Sequence, residues 1–286
     1  MVIKNKSFQK NRSKLYIVGT PIGNLQDISL RALEVLKTVD VIYCEDTSNT
    51  VRLLSAFNIK KPLHSLHEHN ENQLSQQVID KVKAGENVAY VSDAGNPLIS
   101  DPGSQLTVLS KDQDIDVVTV LGPSAFLHAL INSGFSTDNF IFRGFVPRED
   151  SIRDKMFKDF SSFNETQIFY EAPHRIGKTL NALAKALPER EICLARELTK
   201  IHEEFIFGTA SELAELDSTA LKGEIVIVIK GAVKKKQLEN TVDILKIFEL
   251  LKTKMSTKDI IDYIVSFYGL KKNQVYETIE EYKKNS

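Results

Sequence analysis

The 286 residues are 42% apolar and 26% charged, ordinary globular usage that excludes a fibre or a disordered chain and leaves room for two domains. Lys and Arg number 37 against 38 Asp and Glu, a formal net charge of -1, so a nucleic-acid partner must be met by a local basic patch. Cys44 and Cys193 lie in apolar runs without a CxxC spacing, which excludes a cysteine-rich zinc site and reads as buried thiols of a reduced compartment. No run reaches the roughly 20 apolar residues of a membrane span. The basic N-terminus lacks the apolar stretch of a secretory signal, so a cytoplasmic protein is expected.

In chain order, residues 1–13 read as a disordered tail. Short β-branched runs then recur at 15–18, 39–44, 88–91, 117–121, 140–142, 168–170, 192–195 and 225–229. Several are continuously apolar, as strands covered on both faces are. Amphipathic stretches separate them; in 28–39, Ile28, Ala32, Leu33, Leu36 and Val39 share one face, with Asp27 or Ser29 as N-cap. The alternation predicts an α/β fold. Gly, Pro and charge collect at 135–150, near which a domain seam is placed. The expected organisation is an α/β domain over 14–122, a second over 123–232, a polar linker, and a helical appendage over 240–286. Within the appendage, Ser256 followed by Asp259 caps one helix and Gly269 ends it. Three such helices with outward lysines suit either a helix-turn-helix-like RNA-binding element or a plain helical cap.

Three glycine-containing turns follow three of the expected strands: Gly19-Thr20-Pro21-Ile22-Gly23, the stretch Ser92-Asp93-Ala94-Gly95-Asn96 running on to Asp101-Pro102-Gly103, and Gly122-Pro123-Ser124-Ala125. In an open parallel sheet ligands bind outside the carboxyl ends of strands, and glycine admits close backbone approach. Three such loops at one edge make a small-molecule cleft. GxGxxG with a following acidic residue and GxxxxGKS/T are both absent, which disfavours nicotinamide-dependent hydride transfer and P-loop phosphoryl transfer.

The strings LYIVGTPIGNLQDISLRALEVLKTVDVIYCEDT, HEHNE, VAYVSDAGNPLISDPG, VLGPSA, IFYEAPHRI, LARELTKIHEEFIFGT and LKGEIVIVI resemble the ribosomal RNA 2′-O-methyltransferase branch of the tetrapyrrole methylase superfamily. The resemblance runs from Lys14 to Lys230. It implies two α/β domains of tetrapyrrole-methylase type with an S-adenosylmethionine cleft between them, a homodimer, and a substrate in 16S ribosomal RNA of the small subunit. By the same resemblance the cofactor contacts would be Pro21, Gly95, Asn96, Ile99, Ser124 and Ala125, with Glu171 and Leu198 from the second domain. Asn96 stands where this branch usually carries Thr and where tetrapyrrole-methylating relatives carry Asp.

Methyl transfer to a ribose 2′-hydroxyl needs an in-line approach, a dry cleft and a destination for the proton, and requires no metal. Catalytic candidates are Glu45, Asp46, Glu171, Arg196 and Glu197. Glu45 and Asp46 could equally serve as a helix cap and first-turn charge. For RNA contacts the candidates are His67, Tyr170, His174, Arg175, Arg196 and Lys200, with Tyr170 available for stacking on an extruded base. The HEHNE string, including Glu68, lacks HExxH spacing and no helical pattern is read there, so a substrate loop is expected rather than a metal site. Alternatives that stay open are a tetrapyrrole C-methyltransferase of the same fold and a ribosome assembly factor without catalysis.

Overall fold

The first apolar run forms β1 (Lys14–Val18), a strand apolar on both sides. It is followed by α1 (Leu30–Thr38), β2 (Val41–Cys44), α2 (Thr47–Ala56), β3 (Leu63–Ser65), α3 (Glu71–Lys83), β4 (Val88–Val91), α4 (Ser104–Asp112) and β5 (Asp116–Val120). These strands make a five-stranded sheet in the order β3-β2-β4-β1-β5, every pair parallel. Successive strand residues feed opposite cores. Val18, Ile42 and Val91 pack with α1 and α2, whereas Ile17, Val41 and Tyr90 pack with α3 and α4. That is why the strands read as unbroken apolar runs. The structure, a computed structural model, describes residues 12–232 and 244–285.

Helix α5 (Ala125–Ser133) leaves the first sheet but packs on the second. The second sheet follows through β6 (Phe140–Phe145), α6 (Asp150–Asp159), β7 (Thr166–Glu171), α7 (Ile176–Ala186), β8 (Glu191–Arg196), β9 (Glu204–Thr209), α8 (Ala210–Ala214) and β10 (Ile225–Ile229). Its order is β6-β7-β10-β8-β9, with β6 and β7 parallel and the other pairs antiparallel. One face is closed by Phe157 and Phe160 with α7. The other buries Ala129 and Leu130 of α5 together with Ile22 from the loop after β1. Ile22 therefore carries the first sheet's loop into the second sheet's core.

The chain divides into compact units at Ala232 and Val233. Taken by itself, the second unit is α9 (Ile244–Leu251), α10 (Thr257–Tyr268) and α11 (Lys272–Asn285) around Phe248, Ile260, Ile264, Val275 and Ile279. Ser256 accepts the Asp259 N–H at 3.2 Å and Gly269 takes φ 67°, the start and stop expected of α10. The expected linker and the first residues of the appendage lie outside the described residues. So does the expected tail, except Arg12 and Ser13; Arg12 pairs with Asp114 at 3.0 Å.

Two strands were not legible in sequence: β3 has only three residues at an edge, and β9 is an edge strand whose half-exposed residues alternate weakly. A helix also begins where none was read, since HEHNE runs directly into α3 with Asn70 as its N-cap residue. Buried Glu71 then accepts the Gln105 N–H at 2.6 Å, satisfying the start of α4, whose N-cap Gly103 has no side chain to do so. Glu71→Ala orphans that N–H and is expected to cost about 1–3 kcal/mol in urea unfolding; no loss would mean water replaces the carboxylate.

Candidate active site

Strand β1 lies between β4 and β5, so the loops leaving these three strands are neighbours at one sheet edge. They are stitched together by main chain. Thr20 N–H donates to Gly95 O at 2.8 Å, Gly95 N–H donates back at 3.1 Å, and Gly19 N–H reaches Val120 O at 2.8 Å. Gly19 and Gly122 meet backbone to backbone: a Cβ on Gly19 would stand 2.3 Å from Gly122 N. The Asn96 side chain closes the arrangement, accepting the Gly122 N–H at 2.8 Å while its amide donates to Pro123 O at 3.0 Å and Gly122 O at 3.2 Å.

The β4 loop carries backbone strain. Leu98 and Ser100 take φ 73° and 65°, left-handed values that cost a non-glycine residue roughly 1–3 kcal/mol each. At its end Gly103 (φ 115°) sits so close to Tyr90 that a Cβ would be 2.6 Å from the ring.

Between this edge and the second sheet lies a cavity of about 460 Å³, within the roughly 300–1,000 Å³ range of small-molecule sites. Of the cofactor candidates, Gly95, Asn96, Ile99, Ser124, Ala125 and Glu171 line it. Pro21 precedes the lining residue Ile22, and Leu198 is buried behind Ile22 in the α5 core. Ser124 makes no side-chain cap to α5, so its hydroxyl leaves the first N–H groups of that helix unclaimed. Phe145, Tyr170, Ala172, Pro173, Ile225 and Val226 supply the opposite, mostly apolar wall.

The charges in this lining are all of one sign. It contains five carboxylates, Glu45, Asp93, Asp101, Glu171 and Glu224, and no Lys, Arg or His. Three of the five are committed. Asp93 accepts the Asp46 N–H at 3.1 Å and the Asn49 amide at 2.8 Å. Glu171, buried, accepts from Thr179 Oγ1 at 2.5 Å and Ala172 N–H at 2.8 Å, with Arg175 Nε at 3.5 Å. Glu224 lies 3.4 Å from Lys200. Burial raises the Glu45 carboxyl above its usual range, with Asp93, Asp46 and Glu68 adding to the rise and His67 opposing it. Asp101 is pushed up to about 6 by burial and by the Glu45 charge, with the Ser92 hydroxyl pulling the other way.

The remaining candidates divide by what already holds them. Asp46 Oδ1 accepts the Ser48 N–H at 2.7 Å as N-cap of α2, the capping alternative left open by the sequence. Arg175 donates to Val146 O and Pro147 O, both at 2.9 Å, which leaves little of its guanidinium for phosphate. His174 is exposed beside Pro173. Arg196 binds Glu204 at 2.8 Å and Lys222 O at 3.2 Å, and Lys200 binds Glu197 at 3.0 Å, so these residues form one network at the end of β8. The Lys200 hydrogen bond holds Glu197 below the usual carboxylate range. His67 stands apart from this network, its Nε2 3.3 Å from Asn70 Nδ2. Tyr170 meets Phe142 and Phe145 edge-on at 4.9 and 5.6 Å, and burial lifts its phenol to about 12. Asp101 and Glu224 were not singled out by sequence; the only signal for Asp101 was its proximity to Gly103.

Residues 14–214 match the family of Tetrapyrrole (Corrin/Porphyrin) Methylases, and the chain belongs to it. Among similar proteins, "Ribosomal RNA small subunit methyltransferase I" of Pasteurella multocida is 41% identical over 267 residues, 92% of this chain and 95% of that one. The protein of that name from Streptococcus pyogenes is 44% identical over 242 residues, 84% of each chain. In fold, the chain resembles uroporphyrin-III-C-methyltransferase of Thermus thermophilus (TM-score 0.54, 19% identity, 78% of this chain and 96% of that one). It also resembles diphthine synthase (TM-score 0.61, 15% identity, 76% and 90%).

Asn96→Ala removes the clamp between two cavity loops and leaves the Gly122 N–H without its acceptor. The expected loss is about 1–3 kcal/mol in urea unfolding; an unchanged midpoint would show that the backbone stitches hold the loops alone.

Proposed function

We propose that the protein methylates the ribose 2′-oxygen of a cytidine in 16S ribosomal RNA of the small subunit, using S-adenosylmethionine. The observation that carries the reading is the lining: a cavity of suitable size with five carboxylates and no basic side chain suits a ligand bearing two positive centres, a sulfonium and an ammonium. Apolar Ile22, Ile99, Ala125, Ile225 and Val226 suit the adenine and thioether parts. The acceptor follows from the relatives named above, and the rest of the reading from the motif resemblance.

Bound S-adenosylmethionine supplies an electrophilic methyl group. The protein holds that ligand by Gly95, Ser124 and Ala125, with Asn96 fixing the loops that carry them. Carboxylates at the cavity lower its potential, favouring a cation and turning phosphates away. Arg196 and Lys200, at the end of β8, and exposed His174, beyond β7, would meet the RNA outside. Tyr170 is the candidate for stacking on a base. The exposed apolar residues Leu127 and Ile131, one turn apart on α5, with Leu121 before them, support pairing with a second copy of the chain. Among the described residues no helix is long and apolar enough to cross a membrane. A cytoplasmic setting is part of the proposal.

The test is transfer of a labelled methyl group from the cofactor to purified small subunits, free 16S RNA and a precorrin, followed by nuclease mapping. Label on a cytidine ribose is expected. Label on a base, or on the precorrin alone, would overturn the reading.

A further inference from the structure

The second compact unit turns its remaining aromatic residues outward. Phe248, Ile260, Ile264, Val275 and Ile279 fill the interior, while Tyr263, Phe267, Tyr268 and Tyr276 are all exposed. Packing of the three helices on one another therefore does not call for these four rings. Tyr263 and Phe267 stand one turn apart on α10, where i and i+4 side chains meet. Their rings stack with centroids 5.6 Å apart and 12° between planes, and Tyr268 meets Phe267 edge-on at 5.0 Å. Phe267 is nonetheless 70% exposed. Aromatic rings fixed by one another and left in water form a surface suited to a partner.

The charge around the rings selects that partner. The stretch from Tyr263 to Tyr276 holds all four aromatics, two lysines and no acid. Lys272 reaches back to Asp262 at 2.6 Å, whereas exposed Lys271 makes no ion pair among the described residues. The same stretch contains the turn at Gly269 and the start of α11, whose first N–H groups favour an anion. Flat π-faces beside a free cation suit the bases and phosphates of a single strand, whose unpaired bases are available to stack. A duplex keeps its bases stacked inside and offers these rings nothing to cover.

We propose that this face binds single-stranded RNA, with a base stacked on Phe267 and Lys271 at an adjoining phosphate. The proposal goes beyond the methyl-transfer reading above and takes from it only that the strand is ribosomal. The carboxylates of the cavity turn phosphate away, so the RNA needs a hold elsewhere. This face supplies one wholly within the second unit. It acts on affinity for the RNA and not on the transfer step, because no group in it reaches the reacting atoms.

The experiment uses the full chain as wild type, Phe267→Ala, Phe267→Leu and Phe267→Tyr. Fluorescence anisotropy at one fixed salt concentration measures affinity for a labelled cytidine-rich RNA single strand and for its duplex with a complementary strand. Methyl transfer to small subunits gives kcat and KM, calorimetry gives cofactor affinity, and sedimentation gives the oligomeric state. For Phe267→Ala, single-strand affinity and small-subunit KM should each worsen by about tenfold, with kcat, cofactor affinity and Tm unchanged. Phe267→Leu, apolar but without a π-face, should lose as much, and Phe267→Tyr should bind as wild type does. Phe267→Leu behaving like wild type, Phe267→Ala within about twofold of it, or an equal loss on the duplex overturns the proposal. So does a change of oligomeric state in these variants, which would assign the face to a second copy of the chain. Wild type that binds the single strand through Phe267 yet transfers no methyl group to RNA would sink the methylation reading and leave this surface standing.

Discussion

Gly19 and Gly122 touch backbone to backbone at the carboxyl edge of a parallel sheet, at a separation where no side chain fits. This contact is possible because β1 lies between β4 and β5, which brings their outgoing loops together. Once the two glycines meet, the Thr20–Gly95 bridge and the Asn96 clamp tie the third loop to them. Ile22 and α5 then extend from these loops into the core of the second sheet. The cavity is thus formed where the two sheets' packing meets, and its shape depends on main-chain contacts more than on any single side chain. A ligand held there meets a wall that does not need to reorganise, which is how binding and positioning are obtained at low entropic cost.

Charge is distributed to match. Residues 12–232 carry 23 Lys and Arg against 30 Asp and Glu, while residues 233–286 carry 11 against 8 and residues 1–11 carry three lysines and no acid. An overall net charge of -1 conceals this division. The unit holding the cavity has no net attraction for a polyanion, and the cavity itself repels phosphate. A ribosomal RNA substrate would have to dock by local cations and shape, and would present a ribose rather than a phosphate to the acidic interior.

Much of this was legible in the sequence, for identifiable reasons. Strands covered on both faces are continuously apolar, so β1, β2, β4 and β10 could be read within a residue or two at each end. The three glycine loops could be read because glycine after a strand has few other uses. Edge strands β3 and β9 escaped because half-exposed residues need not be apolar. Side-chain commitments escaped for a different reason: sequence shows a carboxylate but not its partners. Arg175 binds two carbonyls and Asn96 bridges two loops, each through distant backbone, whereas the local Asp46 cap on α2 was among the readings the sequence left open.

We propose that the stitched loops and the β7 and β10 ends enclose one ligand site. Amide hydrogen exchange with and without S-adenosylmethionine tests it most directly. Slowed exchange is expected in residues 19–25, 92–101 and 122–127 together with 170–174 and 223–226, with little change in 244–285. Protection confined to one sheet's loops, or concentrated outside these segments, would contradict it.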